Sequence, residues 1–317
     1  MAMQIKMEKH CFNHTPVLLN ECIDGLNIKP DGIYVDGTMG GAGHSLRIVE
    51  KLKSGKLIGI DKDDTALSVC KDRLKDFKNV VFVKSDFKNF KNVVENLNIN
   101  GVDGILLDLG VSSHQIDTPE RGFSYRFDGE LDMRMDKTQS LTAFDVVNTY
   151  SETDLAKIIY LYGEENFSRS IARKIVEVRR AEPIKTTMQL KEVVESAIPK
   201  KFHGAGSPCK KTFQAIRIEV NSELDGLDTV IYDMVEKLNK GGRLAIITFH
   251  SLEDRIVKNV FKELSTNCIC DKSIPVCVCN HKASVSLVNR KPIIATNTEL
   301  KENKRSSSAK LRIVEKL

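Results

Sequence analysis

The sequence predicts an α/β protein: a parallel sheet covered on both faces and interrupted by a helical insertion. Three observations predict it. Over the first 110 residues, short apolar runs alternate with amphipathic stretches, the rhythm of βαβ units. That rhythm stops near residue 112, and a helix-rich stretch follows to about residue 211. From residue 212 it resumes, with long helical patterning and one strongly apolar run, Arg243 to Phe249. The expected division is a sheet domain of residues 1–111 and 212–317 and an inserted helical domain of residues 112–211.

Each element has its own reason. Gly32 to Asp36, Lys56 to Asp61, Asn79 to Val83 and Gly104 to Asp108 are short apolar runs of strand length. Ser45 to Leu52, Thr65 to Phe77 and Phe90 to Leu97 are the amphipathic stretches between them. Gly110 to Asp136 is rich in Gly, Ser, Asp, Arg and Met and has no clear period. Ser151, with Asp154 three positions on, resembles a capping box. Ile171, Ile175, Val176 and Val178 suit one helix face, Pro183 punctuates, and Thr187 opens another helix through Val193, Val194 and Ala197. Lys200 to Lys211 reads as a Gly/Pro/Lys linker. Thr212 to Leu238 is helical, and Gly241-Gly242 ends it. Arg243 to Phe249 is a buried strand, Ser251 to Leu264 a helix, and Ser306 to Val314 a final edge strand.

Composition narrows the class. At roughly 150 residues per domain, 317 residues suggest about two domains. A hydrophobic share of 41% with 29% charged residues excludes whole-chain disorder. No apolar run approaches the ~18 residues of a membrane span, and Met1 to Lys9 lacks the apolar core of a secretory signal. A soluble, cytoplasmic protein with no membrane partner is expected. Net charge is +5 and the pI about 8.6, which permits a nucleic-acid partner without demanding one. With no Trp, any base stacking must use Phe and Tyr.

The strand ends speak to the ligand. Ligands bind at the carboxyl ends of strands in open α/β sheets. Asp36, Asp61 and Asp108 close three of the strands, and Asp86 lies just past another, at spacings of 25, 25 and 22 residues. Four carboxylates on one rim call for a cation or hydrogen-bond donors. A pyrophosphate site needs bare amides there, so the rim disfavours a nicotinamide dinucleotide and favours S-adenosylmethionine. The loop Asp36-Gly37-Thr38-Met39-Gly40-Gly41-Ala42-Gly43-His44 lets backbone approach a ligand. Asp61 suits ribose hydroxyls and Phe87 suits adenine.

Seven motifs extend this: HTPVLL (His14 to Leu19), Asp36-Gly37-Thr38 through Gly43-His44-Ser45, GILLDLGVSS (Gly104 to Ser113), ERGFS (Glu120 to Ser124), LDMRM (Leu131 to Met135), TFQA (Thr212 to Ala215) and FHSLEDR (Phe249 to Arg255). Together they resemble the bacterial 16S ribosomal RNA cytosine-N4 methyltransferases, the RsmH or MraW family, from near residue 14 to Arg312. The resemblance implies a Rossmann-like S-adenosylmethionine-dependent methyltransferase sheet with an inserted helical domain. It implies transfer of a methyl group to the N4 amine of one cytidine in the decoding region of small-subunit RNA. It also implies cofactor contacts at Ala42, Gly43, His44, Asp61, Phe87, Asp108 and Gln115, with Gly41 in the same loop. Ala42 stands where the family usually has Gly. Its methyl disfavours positive φ, so a small local adjustment is expected.

The exocyclic amine of cytosine is a poor nucleophile and must be held in line with the methyl carbon. Many amino-methyltransferases use a D/N/S-P-P-Y/F loop after the fourth strand. Here that place reads Asp108-Leu109-Gly110-Val111, without the prolines, which argues against DNA as substrate. Asp108, or a carbonyl of Leu109 to Val111, is the expected acceptor that orients the amine. His44 reads as a cofactor-site residue or a base, and His250 as a strand-to-helix cap or a base. Arg121, Phe123, Tyr125 and Arg126 interleave charge with aromatics in an irregular loop, the pattern of single-stranded RNA contact. Arg169 to Arg180 is either more of that surface or a solvated helix face.

The eight cysteines divide in two. Cys11, Cys22, Cys70 and Cys209 are scattered. Cys268, Cys270, Cys277 and Cys279 form two C-x-C pairs with His281 nearby, tighter than the usual spacing of structural zinc. Structural zinc, reduced thiols and a redox disulfide all fit that spacing. A secreted disulfide scaffold does not fit a chain of this length.

Overall fold

A computed structural model describes residues 16–203, 207–271 and 276–317. Cys11 and the opening His14-Thr15 of the first motif lie outside them. The first half alternates as its pattern predicts: α1 (Leu19–Leu26), β1 (Ile33–Asp36), α2 (Gly43–Lys51), β2 (Lys56–Asp61), α3 (Asp64–Arg73), β3 (Val80–Lys84), α4 (Phe90–Asn96) and β4 (Val102–Asp108). The helical stretch holds α5 (Ser113–Asp117), α6 (Ala143–Thr149), α7 (Glu152–Gly163), α8 (Ser168–Arg179), α9 (Thr187–Ala197) and α10 (Lys210–Asn221). The sheet is completed by α11 (Leu227–Lys237), β5 (Leu238–Thr248), α12 (Ser251–Leu264), β6 (Val285–Leu287), α13 (Asn297–Glu302) and β7 (Lys310–Lys316).

The seven strands lie in the order β3-β2-β1-β4-β5-β7-β6. β1 to β5 are parallel, and β7 runs antiparallel to both neighbours. Successive residues face opposite sides, which is why the inner strands are apolar throughout. Val35, Ile58, Leu107 and Ile246 pack with α4, α11 and α12. Tyr34, Leu57, Leu106 and Ile247 pack on the other face with α1, α2 and α3. At Gly59 a Cβ would sit 2.1 Å from the Met39 sulfur, so the bare glycine in β2 lets the ligand-side loop fold back onto the sheet. The reversal of strand order between β1 and β4 opens the crevice at their carboxyl ends.

Two expectations about the sheet need correction. The last strand is not at the edge: β7 is wedged between β5 and β6. Its covering strand β6 has only three residues, too few to show a period. Gly241-Gly242 does not end a helix either. Both glycines lie inside β5, where Gly241 has φ +76° and the register to β4 shifts between Val102 and Gly104. They make a bulge in a strand that already begins at Leu238.

A separate apolar cluster holds the helical body together. It gathers Leu131 and Met133 of the irregular loop, Leu155 and Ile159 of α7, Ile171 and Ile175 of α8, and Leu190 and Val194 of α9. The cluster continues through Phe213 and Ile216 of α10 to Val220, past the expected end at residue 211. Thr186, one residue before the expected start, caps α9 in a full capping box with Gln189. Ser151 caps α7 by accepting from Asp154 N–H.

Candidate active site

The glycine loop after β1 is held from below. Asp36 is buried and accepts from Ser45 Oγ (2.5 Å) and Thr38 N–H (3.1 Å). Burial pushes its carboxyl up to about 6 against those two hydrogen bonds. It braces the loop and does not line the cavity. Gly40 N–H donates to Asp61 Oδ2 at 2.8 Å, and Asp63 N–H to Asp61 Oδ1 at 2.9 Å. Ala42 sits at φ +58° in the left-handed region, with its methyl buried in the core. The alanine thus takes the left-handed conformation that its methyl disfavours. The same geometry turns its side chain to the core, while Gly41, Gly43 and His44 line the cavity beside it.

The four-carboxylate rim is also smaller than expected. Asp61 and Asp108 line the cavity. Asp86 instead caps a short turn, accepting from Lys88 N–H (3.0 Å), and pairs with Lys62 (3.4 Å). Its neighbour Phe87 does line the cavity, as an adenine-packing residue must.

Asp108 closes β4 at the centre of the crevice. Its N–H donates to Thr38 Oγ1 at 2.7 Å, which fixes the strand end against the glycine loop. Its Oδ2 faces His44 Nδ1 at 3.7 Å, and its Oδ1 is buried with no hydrogen-bond partner among the described residues. Burial first, then the like charges of Asp36 and Glu253, push the carboxyl up to about 8. A buried acceptor without a donor is costly, and a cation or amine in the crevice removes the cost. With the glycine loop and Phe87 beside it, the residues present fit S-adenosylmethionine.

The two histidines have settled places. His44 Nε2 lies 3.1 Å from the Val17 carbonyl, so that nitrogen carries the proton. His250 is the N-cap of α12: its Nδ1 accepts from Glu253 N–H (3.5 Å), and Glu253 Oε2 accepts from Phe249 N–H (2.9 Å). His250 Nε2 is 3.0 Å from Glu253 Oε1, an ion-pair distance off the hydrogen-bond line. Burial alone would raise Glu253, yet His250 and Arg217 hold its carboxyl below the usual range. The strand-to-helix cap is the role this geometry gives His250.

Two residues expected on the RNA surface are inside the protein. Arg121 is only 3% exposed. It donates to Asp63 Oδ2 (2.9 Å) and to the carbonyls of Arg134 (2.9 Å) and Met135 (3.0 Å). Phe123 is buried in the core of the helical body. Burial would raise Asp63, but Gln115 and Arg121 hold it below its ordinary value. The Arg-Gly-aromatic pattern looked like a binding loop because no sequence period separates an inward arginine from an outward one. Tyr125 is half-buried, edge-on to Phe213 at 5.6 Å, and Arg126 is exposed. Gln115 lines the cavity, but its amide is committed: Oε1 accepts from Ser112 N–H (3.0 Å) and Nε2 donates to Asp63 (3.0 Å).

The sequence reading missed several cavity residues. Lys62, Arg73, Lys88 and Arg305 bring positive charge to the walls, and Glu223 and Glu253 bring negative charge to the floor. Arg73 donates to the Gly41 carbonyl (2.8 Å) and Arg305 pairs with Asp117 (2.6 Å). Arg73 sits one helix beyond the loop it holds, and Arg305 comes from far along the chain. Only FHSLEDR carried a signal, since it contains Glu253.

Comparison with known proteins gives the family. A family model described as the MraW methylase family matches residues 11–317. A protein of Clostridium botulinum (strain Kyoto / Type A2) named Ribosomal RNA small subunit methyltransferase H is 55% identical over 307 residues, covering 96% of this chain and 99% of that one. Relatives of the same name from Finegoldia magna and Clostridioides difficile are 52% and 54% identical, with the same coverage. Among solved structures, an rRNA methylase from Streptococcus thermophilus is 13% identical with a TM-score of 0.40, over 94% of this chain and 95% of that one. Matched over nearly its whole length and at more than half identity, the chain belongs to the MraW methylase family.

Proposed function

We propose that this methylase acts in the cytoplasm on 16S ribosomal RNA of the small subunit, with S-adenosylmethionine as donor and the N4 amine of one decoding-region cytidine as acceptor. The observation that carries the reading is the Oδ1 of Asp108 at the end of β4, beside the glycine loop, buried and with no hydrogen-bond partner among the described residues. When bound, the cofactor supplies an electrophilic sulfonium methyl. The protein's part is positioning and electrostatics. Gly41, Gly43, His44, Asp61 and Phe87 form the cofactor wall. Asp108, ionised by a cation beside it, accepts a hydrogen bond from the amine and orients its lone pair. Gly110, at φ +94°, turns the following backbone. The helical body carries the RNA surface, and we extend it to Asn221 because α10 packs in its core. Mapping N4-methylcytidine in small-subunit RNA from cells lacking the protein tests the reading. Loss of one modified position is expected, and an unchanged map rejects it.

A further inference from the structure

The cysteine loop lies between α12 and β6. Its base is closed: Ser284 N–H donates to the Leu264 carbonyl (2.9 Å), Ala283 N–H to Asn267 Oδ1 (3.1 Å), and the His281 ring contacts the Glu263 carbonyl (3.0 Å). His281 is thus engaged at the helix end. Among its described residues the tip shows no apolar core. Ile269, Val276 and Val278 alternate with the cysteines and are 52%, 71% and 70% exposed. Loops of this length are uncommon in compact domains and often carry a function.

What converges inside the tip is sulfur. Cys277 and Cys279 Sγ are 3.5 Å apart, Cys279 and Cys268 3.9 Å, and Cys270 and Cys277 4.0 Å. All four sulfurs lie within 4.8 Å of one another. A disulfide requires about 2.05 Å, so none is formed among these four. Four thiolates at ~2.3 Å around one tetrahedral ion are separated by about 3.8 Å, within the range of the three closest sulfur pairs. Two backbone donors point at the sulfurs as outer-shell partners of metal thiolates do: Val278 N–H to Cys270 (3.4 Å) and Ile269 N–H to Cys279 (3.5 Å).

We propose that Cys268, Cys270, Cys277 and Cys279 bind one structural Zn2+ that orders this loop and, through it, the short covering strand β6. The four ligands fill a tetrahedral shell and leave no open position, so the ion takes no part in methyl transfer. This assignment is independent of the RNA target.

The test uses the full chain purified without chelators in reducing buffer. Elemental analysis is expected to find about one Zn2+ per chain. Cobalt exchange is expected to give thiolate-to-metal charge-transfer bands together with the intense visible bands of a tetrahedral site. Cys277→Ser/Cys279→Ser is expected to lose the metal and both sets of bands. Binding of S-adenosylhomocysteine by the variant, measured by calorimetry, reports that it is folded. Any of three results overturns the assignment: substoichiometric zinc with none taken up on addition, stoichiometric iron instead of zinc, or two disulfides among these cysteines after thiol trapping in cells. A folded double variant that retains its zinc also overturns it.

Discussion

Asp108 has two carboxylate oxygens in unlike places, one facing His44 and one buried without a donor among the described residues. The sign of its pH dependence follows. Its carboxyl titrates near 8 in the folded protein, above the ordinary 3.8. Between these values the native chain binds more protons than the unfolded one, so this group lowers stability as pH rises through the window. A cationic cofactor favours the ionised form, so binding below about pH 8 releases a proton. Affinity for S-adenosylmethionine should tighten as pH rises from about 6 to 8, by up to ~tenfold per unit, and level off above. Asp108→Asn should flatten that profile. Calorimetry across this range checks it, and a flat wild-type profile rejects the role. Arg121 gives a second prediction. Removing one partner of a buried ion pair costs about 3–5 kcal/mol because the other charge is left uncompensated. Arg121→Ala should lower unfolding stability by that amount in urea titrations, since Asp63 is buried with it. A change below about 1 kcal/mol shows that the pair behaves as an exposed one.

At the scale of elements, the parallel core was legible because strands buried on both faces are uninterrupted apolar runs. β2 and α12 fall at the boundaries read from the sequence. What escaped was order and depth. Ser306 to Val314 alternates no more clearly than an edge strand does, and nothing local says that a second strand lies outside it. Its depth shows in an ion pair: Arg312 donates to Asp254 Oδ1 at 2.7 Å and to Oδ2 at 3.3 Å, and both side chains are largely buried. Burial would raise Asp254, but Arg312 and Lys310 hold it low. This contact ties β7 to the first turn of α12, directly after the His250 cap at the site. Arg312→Ala should cost about 1.5–3 kcal/mol, with Lys310 left as a partial partner. Urea midpoints measure it, and an unaltered midpoint shows that β7 is held by backbone pairing and packing alone.

At the scale of the molecule, the glycine loop and the strand-end aspartates could be read as a site because each lies one βα unit from the next. The proposed RNA surface could not be read that way, since its candidate residues come from irregular segments. With Arg121 and Phe123 inside, exposed cations on the helical body include Arg169, Arg173 and Arg180, and those set beside an exposed aromatic are Arg126 with Phe127, and Lys200 and Lys201 with Phe202. Lys201 Nζ lies 5.1 Å over the Phe202 ring, and Phe167 backs that ring at 5.0 Å. This pairs a cation with an exposed aromatic, as single-strand contacts require. Among the described residues, no helix is long and apolar enough to cross a membrane. Each phosphate neutralised by a cation adds about 0.7 to the slope of log affinity against log salt for a single strand. Lys200→Ala/Lys201→Ala should therefore reduce the slope for small-subunit RNA by about 1.4 and leave affinity for S-adenosylhomocysteine unchanged. Arg121→Ala, which removes a buried partner of Asp63 and no surface charge, should leave the slope as it is. Binding titrations at several salt concentrations separate the two variants. Equal slopes for wild type and the double lysine variant place the RNA on another face.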